Sequence, residues 1–210
     1  MEIDHVLIAV DDLTFAARDM AERHGLDSIE GGRHPGWGTA NRIVPLGESY
    51  LELVAVVDEA EASKSVFGRW VASGATTSGR PIGWAVRTDK IEEVGKRLGL
   101  DVRAGSRVTP SGERLQWRTA GVEHAVAEGS LPFFIEWGAG TPFPGRARVT
   151  HSTDLPALAQ IVIQGDADQL ADWLDGATLP IVVRPGRPRL AGIVISRAAG
   201  KIVLGTNPPG

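Results

Sequence analysis

An internal repeat constrains this chain more than any other feature, because a repeat fixes the building unit before any single element is assigned. Three segments of the 210-residue sequence share one layout: a short apolar run, an aspartate, an amphipathic stretch, then alternating or apolar runs. The first is His5-Val6-Leu7-Ile8-Ala9-Val10 before Asp12, the second Gly83-Trp84-Ala85-Val86 before Asp89, the third Ile161-Val162-Ile163 before Asp166. The three aspartates are spaced 77 residues apart, twice over. An aspartate at a strand-to-helix junction is expected to cap the helix by accepting a backbone N–H bond. Leu13, Ala16, Ala17 and Met20 then form one apolar stripe ended by Gly25. Ile91, Val94 and Leu98 form a second ended by Gly99, and Leu170, Trp173 and Leu174 a third ended by Gly176. Spacings of three and four put each set on one helix face, and a glycine supplies the left-handed stop.

After each helix the pattern changes to strands. These are expected at Asn41–Leu46 and Tyr50–Val56, at Arg114–Thr119 and Phe133–Trp137, and at Ile181–Val183, Gly192–Ser196 and Ile202–Leu204. Residues 59–72 read as an extra helix, 76–81 as a linker, 141–156 as an irregular crossover and 206–210 as a frayed tail. The expected units are 1–75, 76–140 and 141–210, the first two sharing one structural domain. A strand–helix–three-strand unit covers only one face of its sheet. Two such units pairing edge to edge bury the other face around a cleft. The fold class is therefore α+β: paired βαβββ modules forming a cupped mixed sheet, with a third βαβββ-like unit at the C-terminus covering a sheet edge.

Composition limits the function classes. The net charge is −4 with acids and bases interleaved, so no basic stripe suits nucleic acid. Cysteine is absent, which removes disulfides, thiolate metal sites and a cysteine nucleophile. No run approaches the ~18 apolar residues of a membrane span, and the acidic Met1–His5 start lacks the basic region of a signal peptide. A cytoplasmic monomer or homodimer acting on a small molecule is expected, with neither nucleic acid nor membrane as partner. Gly-x-Ser-x-Gly, Gly-x-Gly-x-x-Gly after a strand, and His-Glu-x-x-His are all missing. His151-Ser152 with Asp154 is too compact to argue a triad.

Two acids stand out. Glu52 lies inside Leu51-Glu52-Leu53-Val54 and Glu136 inside Ile135-Glu136-Trp137, each a carboxylate in mid-strand that must face water, a partner or a cavity. Period two puts Tyr50, Glu52 and Val54 on one face, and Ile3, His5 and Leu7 likewise. Gln116 shares a face with Arg114 and Arg118. Arg118 suits either a substrate carboxylate or Glu136 on the neighbouring strand. His34 and Trp37 sit among Gly31, Gly32, Gly36 and Gly38, a segment that is either a tight connector or a pocket loop; no Gly-Lys-Ser/Thr follows it, so it is not a P-loop.

The run Ile3–Leu13, the glycine-rich run Gly31–Arg42, Tyr50-Leu51-Glu52-Leu53 and Phe133-Phe134-Ile135-Glu136-Trp137 together resemble the glyoxalase-like branch of the vicinal oxygen chelate superfamily, over roughly residues 3–165. The resemblance implies paired βαβββ modules and, in the metal enzymes, a divalent ion held by residues on the first and last strand of each module. Carried over, His5, Glu52 and Glu136 are the implied ligands, with Glu52 and Glu136 also the implied catalytic bases. Ile82 stands at the fourth position, where it cannot ligate. His34, Trp37, Asn41, Gln116 and Arg118 are the implied pocket residues. Two functions follow: a metal-assisted lyase, isomerase or dioxygenase on a small oxygenated molecule, or a metal-free protein that sequesters a small ligand.

Overall fold

The computed structural model describes residues 1–154 and 156–205; the tail at 206–210 lies outside them. In chain order the first half is β1 (Glu2–Ala9), α1 (Leu13–His24), β2 (Ile29–His34), β3 (Thr39–Pro45) and β4 (Tyr50–Val56). Two short helices follow, α2 (Glu59–Ala62) and α3 (Val66–Gly74). The second half is β5 (Arg80–Arg87), α4 (Ile91–Leu98), β6 (Val102–Val108), β7 (Arg114–Ala120), α5 (Val122–Glu128) and β8 (Phe133–Trp137). The C-terminal part is β9 (Ala157–Gln164), α6 (Ala167–Trp173), β10 (Ile181–Arg184), β11 (Arg189–Arg197) and β12 (Gly200–Gly205).

The protein is α+β with mixed sheets, as the repeat implies. Within each half the strand order is first, fourth, third, second, and eight strands close into a barrel in the order β1-β4-β3-β2-β6-β7-β8-β5. First and last strands are parallel in both halves, His5 opposite Tyr50 and Ala85 opposite Phe133. The halves join along β1 and β5, which are antiparallel over most of their length, and across β2 and β6 at the pair Arg33 and Val108. The cup therefore closes, and its interior is a cavity with no free sheet edge.

The C-terminal part keeps the chain order strand, helix, three strands, but its sheet runs β10-β9-β11-β12, with β9 between a parallel β10 and an antiparallel β11. It repeats the sequence layout without repeating the topology. Since the barrel offers no edge, it does not cover one. Ile161, Ile163, Ile193 and Ile195 instead pack over the outer barrel face with Val6, Ile8, Leu51, Leu53, Trp84 and Phe134, beside Ala16 and Met20 of α1. Alternation explains the sorting: Leu51 and Leu53 face this outer core while Tyr50, Glu52 and Val54 face inward. Each large side chain fully buried there contributes about 1.5–3 kcal/mol. A second core lies inside, where Phe67, Trp70 and Val71 of α3 pack on Leu7, Ala9, Val54 and Ala85. Gly83 is required at this contact, since a Cβ there would lie 2.2 Å from the Trp70 ring.

The expected helix at 59–72 is broken between α2 and α3. Ser65 accepts the N–H of Gly68 and starts α3 afresh. The glycine-rich run is a hairpin in place of a loop: His34 ends β2 and Asn41 lies on β3, with a register shift between Glu30 and Gly32. The aspartate caps are unequal. Asp12 accepts from Phe15 N at 2.7 Å, and Asp166 from Asp168 N and Gln169 N at 2.9 and 3.1 Å. Asp89 caps nothing: Lys90 is the N-cap of α4 and makes no side-chain capping bond, and the Ile91 N–H donates to Glu136 Oε2 at 3.2 Å. Asp12→Ala is accordingly expected to cost about 1 kcal/mol in urea unfolding, and Asp89→Ala to stay within about 0.5 kcal/mol of wild type. Equal losses would contradict this assignment of the caps.

Candidate functional site

The barrel holds a small, partly open cavity of about 40 Å³, where roughly 10–15 Å³ suffices for one water. One wall is polar and comes from the first half: His5 on β1, His34 on β2, Asn41 on β3, Tyr50 and Glu52 on β4. The opposite wall is largely apolar and comes from the second: Trp117, Thr119, Phe133, Ile135 and Trp137. Trp37 and Phe67 sit at 4.9 Å between ring centroids and close one end.

Glu52 is the centre of the polar wall and is only 6% exposed. Its Oε1 accepts from Asn41 Nδ2 at 2.7 Å and lies 3.6 Å from His34 Nε2. Its Oε2 lies 3.5 Å from His5 Nε2. The supports of these neighbours are themselves buried. His5 Nδ1 meets Asp4 Oδ1 at 2.6 Å, and Asp4 Oδ2 accepts from Trp137 Nε1 at 2.9 Å. The His5 ring also stacks on Tyr50 at 4.7 Å. Asn41 Nδ2 faces His34 Nε2 at 3.3 Å, so that nitrogen is the acceptor and Nδ1–H donates to Thr39 Oγ1 at 2.9 Å. Asn41 comes this deep because residue 31 is glycine: a Cβ there would lie 2.1 Å from Asn41 Oδ1.

Burial pulls the His34 pKa down to about 4, opposed by Glu52 and reinforced by Arg107 and His5. The imidazole is therefore neutral at pH 7. Burial, then Asp4 and Glu52, push the Tyr50 phenol well above its ordinary value, so it too is neutral.

Of the residues singled out from sequence, His5, His34, Trp37, Asn41 and Glu52 line this cavity. Glu136, Gln116 and Arg118 do not. On β8 the inward residues are Phe133, Ile135 and Trp137, and Glu136 has the opposite parity. Its carboxylate pairs closely with Arg118 on the outer face and accepts the Ile91 N–H; burial pushes its pKa up, but these two contacts together outweigh it and leave the pKa lowered. Arg118 also reaches Glu92 Oε1 at 2.5 Å. Gln116 shares that outward parity and borders a shallow surface depression with Arg114 and Ser106. Ile3 parts from His5 as well. A register shift between Ile3 and His5 sends Ile3 to the outer core and lets the neighbouring Asp4 be fully buried behind the site.

The chelate implied by His5, Glu52 and Glu136 therefore does not assemble. Among the described residues no group of three or more His, Asp and Glu side chains is arranged to hold a metal ion. The nitrogens of His34 are engaged by Thr39 and Asn41, and the second half offers only apolar side chains where ligands would stand.

Among the residues of the site and its support, Asp4, Tyr50 and Arg107 were not singled out from sequence. Asp4 is hidden by the strand irregularity. Tyr50 was legible by period two from Glu52. Arg107 lies on β6, whose run Val102-Arg103-Ala104-Gly105-Ser106-Arg107-Val108 has too few apolar residues to read as a strand.

An eight-stranded barrel of two like halves around a small cavity is an architecture of the vicinal oxygen chelate type. The chain belongs to the family of proteins with a glyoxalase-like domain, whose sequence model matches residues 3–178. No curated protein sequence matches it. Among solved structures, a hypothetical protein from Staphylococcus aureus is similar with TM-score 0.73 and 15% identity over 94% of this chain and 91% of that one. A methylmalonyl-CoA epimerase variant from Streptomyces coelicolor, in complex with 2-nitronate-propionyl-CoA, is similar with TM-score 0.49 and 18% identity over 68% and 98%. The Mycobacterium tuberculosis methylmalonyl-CoA epimerase gives 0.45 and 18% over 65% and 86%. At these identities the likeness is one of fold. No helix among the described residues is long and apolar enough to cross a membrane.

The His34 shift carries a pH dependence. Its folded pKa of about 4 lies below the unfolded value of 6.5, so between those values the unfolded chain binds more protons and stability rises with pH. Stability is expected to fall by roughly 2 kcal/mol from pH 7 to pH 5 on account of this group. In urea unfolding at the two pH values, His34→Gln should lose correspondingly less than wild type; an identical loss in both would show that His34 is not the group responsible.

Proposed function

We propose that the cavity binds a small oxygenated molecule and that Glu52 is its metal-free proton-accepting base, the reaction being an isomerisation or elimination beside a carbonyl. One observation carries this reading: a buried carboxylate opens onto an aromatic-walled cavity with one oxygen held and the other free. Oε1 is occupied by Asn41 Nδ2 at 2.7 Å, whereas Oε2 has only His5 Nε2, at 3.5 Å. Oε2 is the atom that takes the proton. His5 is next in line to receive it through Nε2, and Asp4 at 2.6 Å fixes the ring orientation. His34, neutral at pH 7, accepts from Asn41 and so keeps the amide turned toward Glu52. Proton transfer is common to the isomerase and lyase chemistries of this fold class, and both are served by Glu52 without the outward Glu136. A second reading, sequestration without chemistry, is favoured by the aromatic enclosure of Trp37, Trp117 and Trp137, which suits retention of a flat ligand.

The test is solvent-deuterium exchange followed by proton NMR on a panel of small enolisable carbonyl compounds. Wild type is expected to catalyse exchange at the carbon next to the carbonyl, and Glu52→Gln to lower the rate by about 10²–10⁴-fold. Exchange no faster than in buffer, or equal in the two proteins, would reject Glu52 as the base and leave sequestration.

A further inference from the structure

Arg107 is the one strong charge in the cavity that the proposed proton transfer does not use. It lies opposite Leu115 in the β6–β7 pairing and so points inward with it. The residue is 4% exposed. Its guanidinium makes one protein hydrogen bond, a close one from an Nη to the Gly31 carbonyl oxygen. Among the described residues no carboxylate comes within 4.0 Å of it. Burial pulls its pKa below the usual arginine value, while Tyr50 and Glu52 act against this from a longer distance. A buried guanidinium is costly unless its donors are met. With five N–H donors and one protein acceptor, most of its hydrogen-bonding capacity is left unmet by the protein.

Arg107 also has a second position of interest. It lines a second, wider pocket formed by Ile29, Ile43, Pro142 and Phe143, and no other residue is shared by the two linings. The side chain thus stands between the two pockets and lines both.

We propose that the cavity takes a small organic carboxylate, whose two oxygens are held by the Arg107 guanidinium while its flat or apolar body lies between Trp37, Trp117 and Phe133. The planar fork of arginine matches a carboxylate in two parallel hydrogen bonds, which a lone amide or hydroxyl cannot reproduce. The proposal rests on the cavity being a ligand site, as argued above, and names the class of ligand. It does not depend on Glu52 moving a proton.

The measurement is calorimetric titration of the full chain, with tryptophan fluorescence as a second readout. The ligands are benzoate and propionate, set against their neutral amides benzamide and propionamide. At least one acid is expected to bind at least about tenfold more tightly than its amide. Arg107→Met should weaken acid binding by about tenfold or more and leave amide binding unchanged. Arg107→Lys, which keeps the charge and loses the fork, should fall between them and covers the case in which the methionine variant does not fold. Glu52→Gln should tighten acid binding by removing a negative charge from the cavity. Acids and amides binding alike, acid binding indifferent to both Arg107 substitutions, or no acid binding at millimolar concentration would each overturn the proposal. Acid binding that depends on Arg107, with no deuterium exchange in wild type, would sink the proton-transfer reading alone. Deuterium exchange in wild type, together with acid binding that is indifferent to Arg107, would sink this one alone.

Discussion

Glu52 places a carboxylate where a sheet interior normally holds a hydrocarbon, and much of the architecture around it can be read as compensation. Taking a carboxylate out of water is expensive unless hydrogen bonds replace the lost hydration. Asn41 supplies one of these bonds, and it can do so only because Gly31 leaves room for its amide. His5 and His34 flank the two oxygens, and each is held from behind by a buried polar partner, Asp4 and Thr39. Asp4 in turn needs the irregular pairing of β1 with β5 in order to be buried beside His5. A local requirement for one charge thus propagates through three strands and into the backbone register of a fourth.

The two halves of the barrel share a strand order but not an interior. In the first half the inward face of the last strand carries Tyr50 and Glu52; in the second it carries Phe133, Ile135 and Trp137. The acid that looks equivalent in sequence, Glu136, is one position out of phase, and in a strand one position is the whole difference between the two faces. Turned outward, it serves the second half structurally. It accepts the first free N–H of α4, where Asp89 provides no cap, and neutralises Arg118. A carboxylate at a helix N-terminus is favoured by the helix dipole as well as by the hydrogen bond. The same residue type at nearly the same place in two repeats has been assigned to two different physical problems.

This explains which parts were legible in the sequence. Helices α1, α4 and α6 were readable because stripe and glycine stop agree, and β3, β4, β7 and β8 because apolar periodicity is strong there. The inward orientation of Tyr50 and Glu52 followed from period two. Three features were hidden. β2 and β6 have too little apolar character to register, so Arg107 was invisible as an interior residue. The shift in β1 breaks the alternation that joined Ile3 to His5. The third segment reproduces spacing and stripe while pairing its strands in another order, because spacing constrains the length of elements and not which neighbour each strand selects. In each case the missing information is a contact between segments distant in sequence.

The inequality of the halves also bears on what the cavity can recognise. A symmetric barrel with acids on both sides would present two like charges to each other, and one would have to be neutralised or bridged by a cation. Here the acid side faces rings, with a guanidinium at the margin. Rings offer area and shape but little charge, so the proposed ligand is sorted end from end: its flat or apolar part is matched by Trp117 and Phe133, its oxygens by Arg107. Such one-way orientation is what a proton-transfer site needs in order to bring a single carbon to Glu52 Oε2. It is also what a sequestering site needs in order to hold one class of molecule among many of similar size. Both readings in the proposed function therefore draw on the same division of the interior, and they part only over whether the carbon of the bound molecule that meets Oε2 carries an acidic hydrogen.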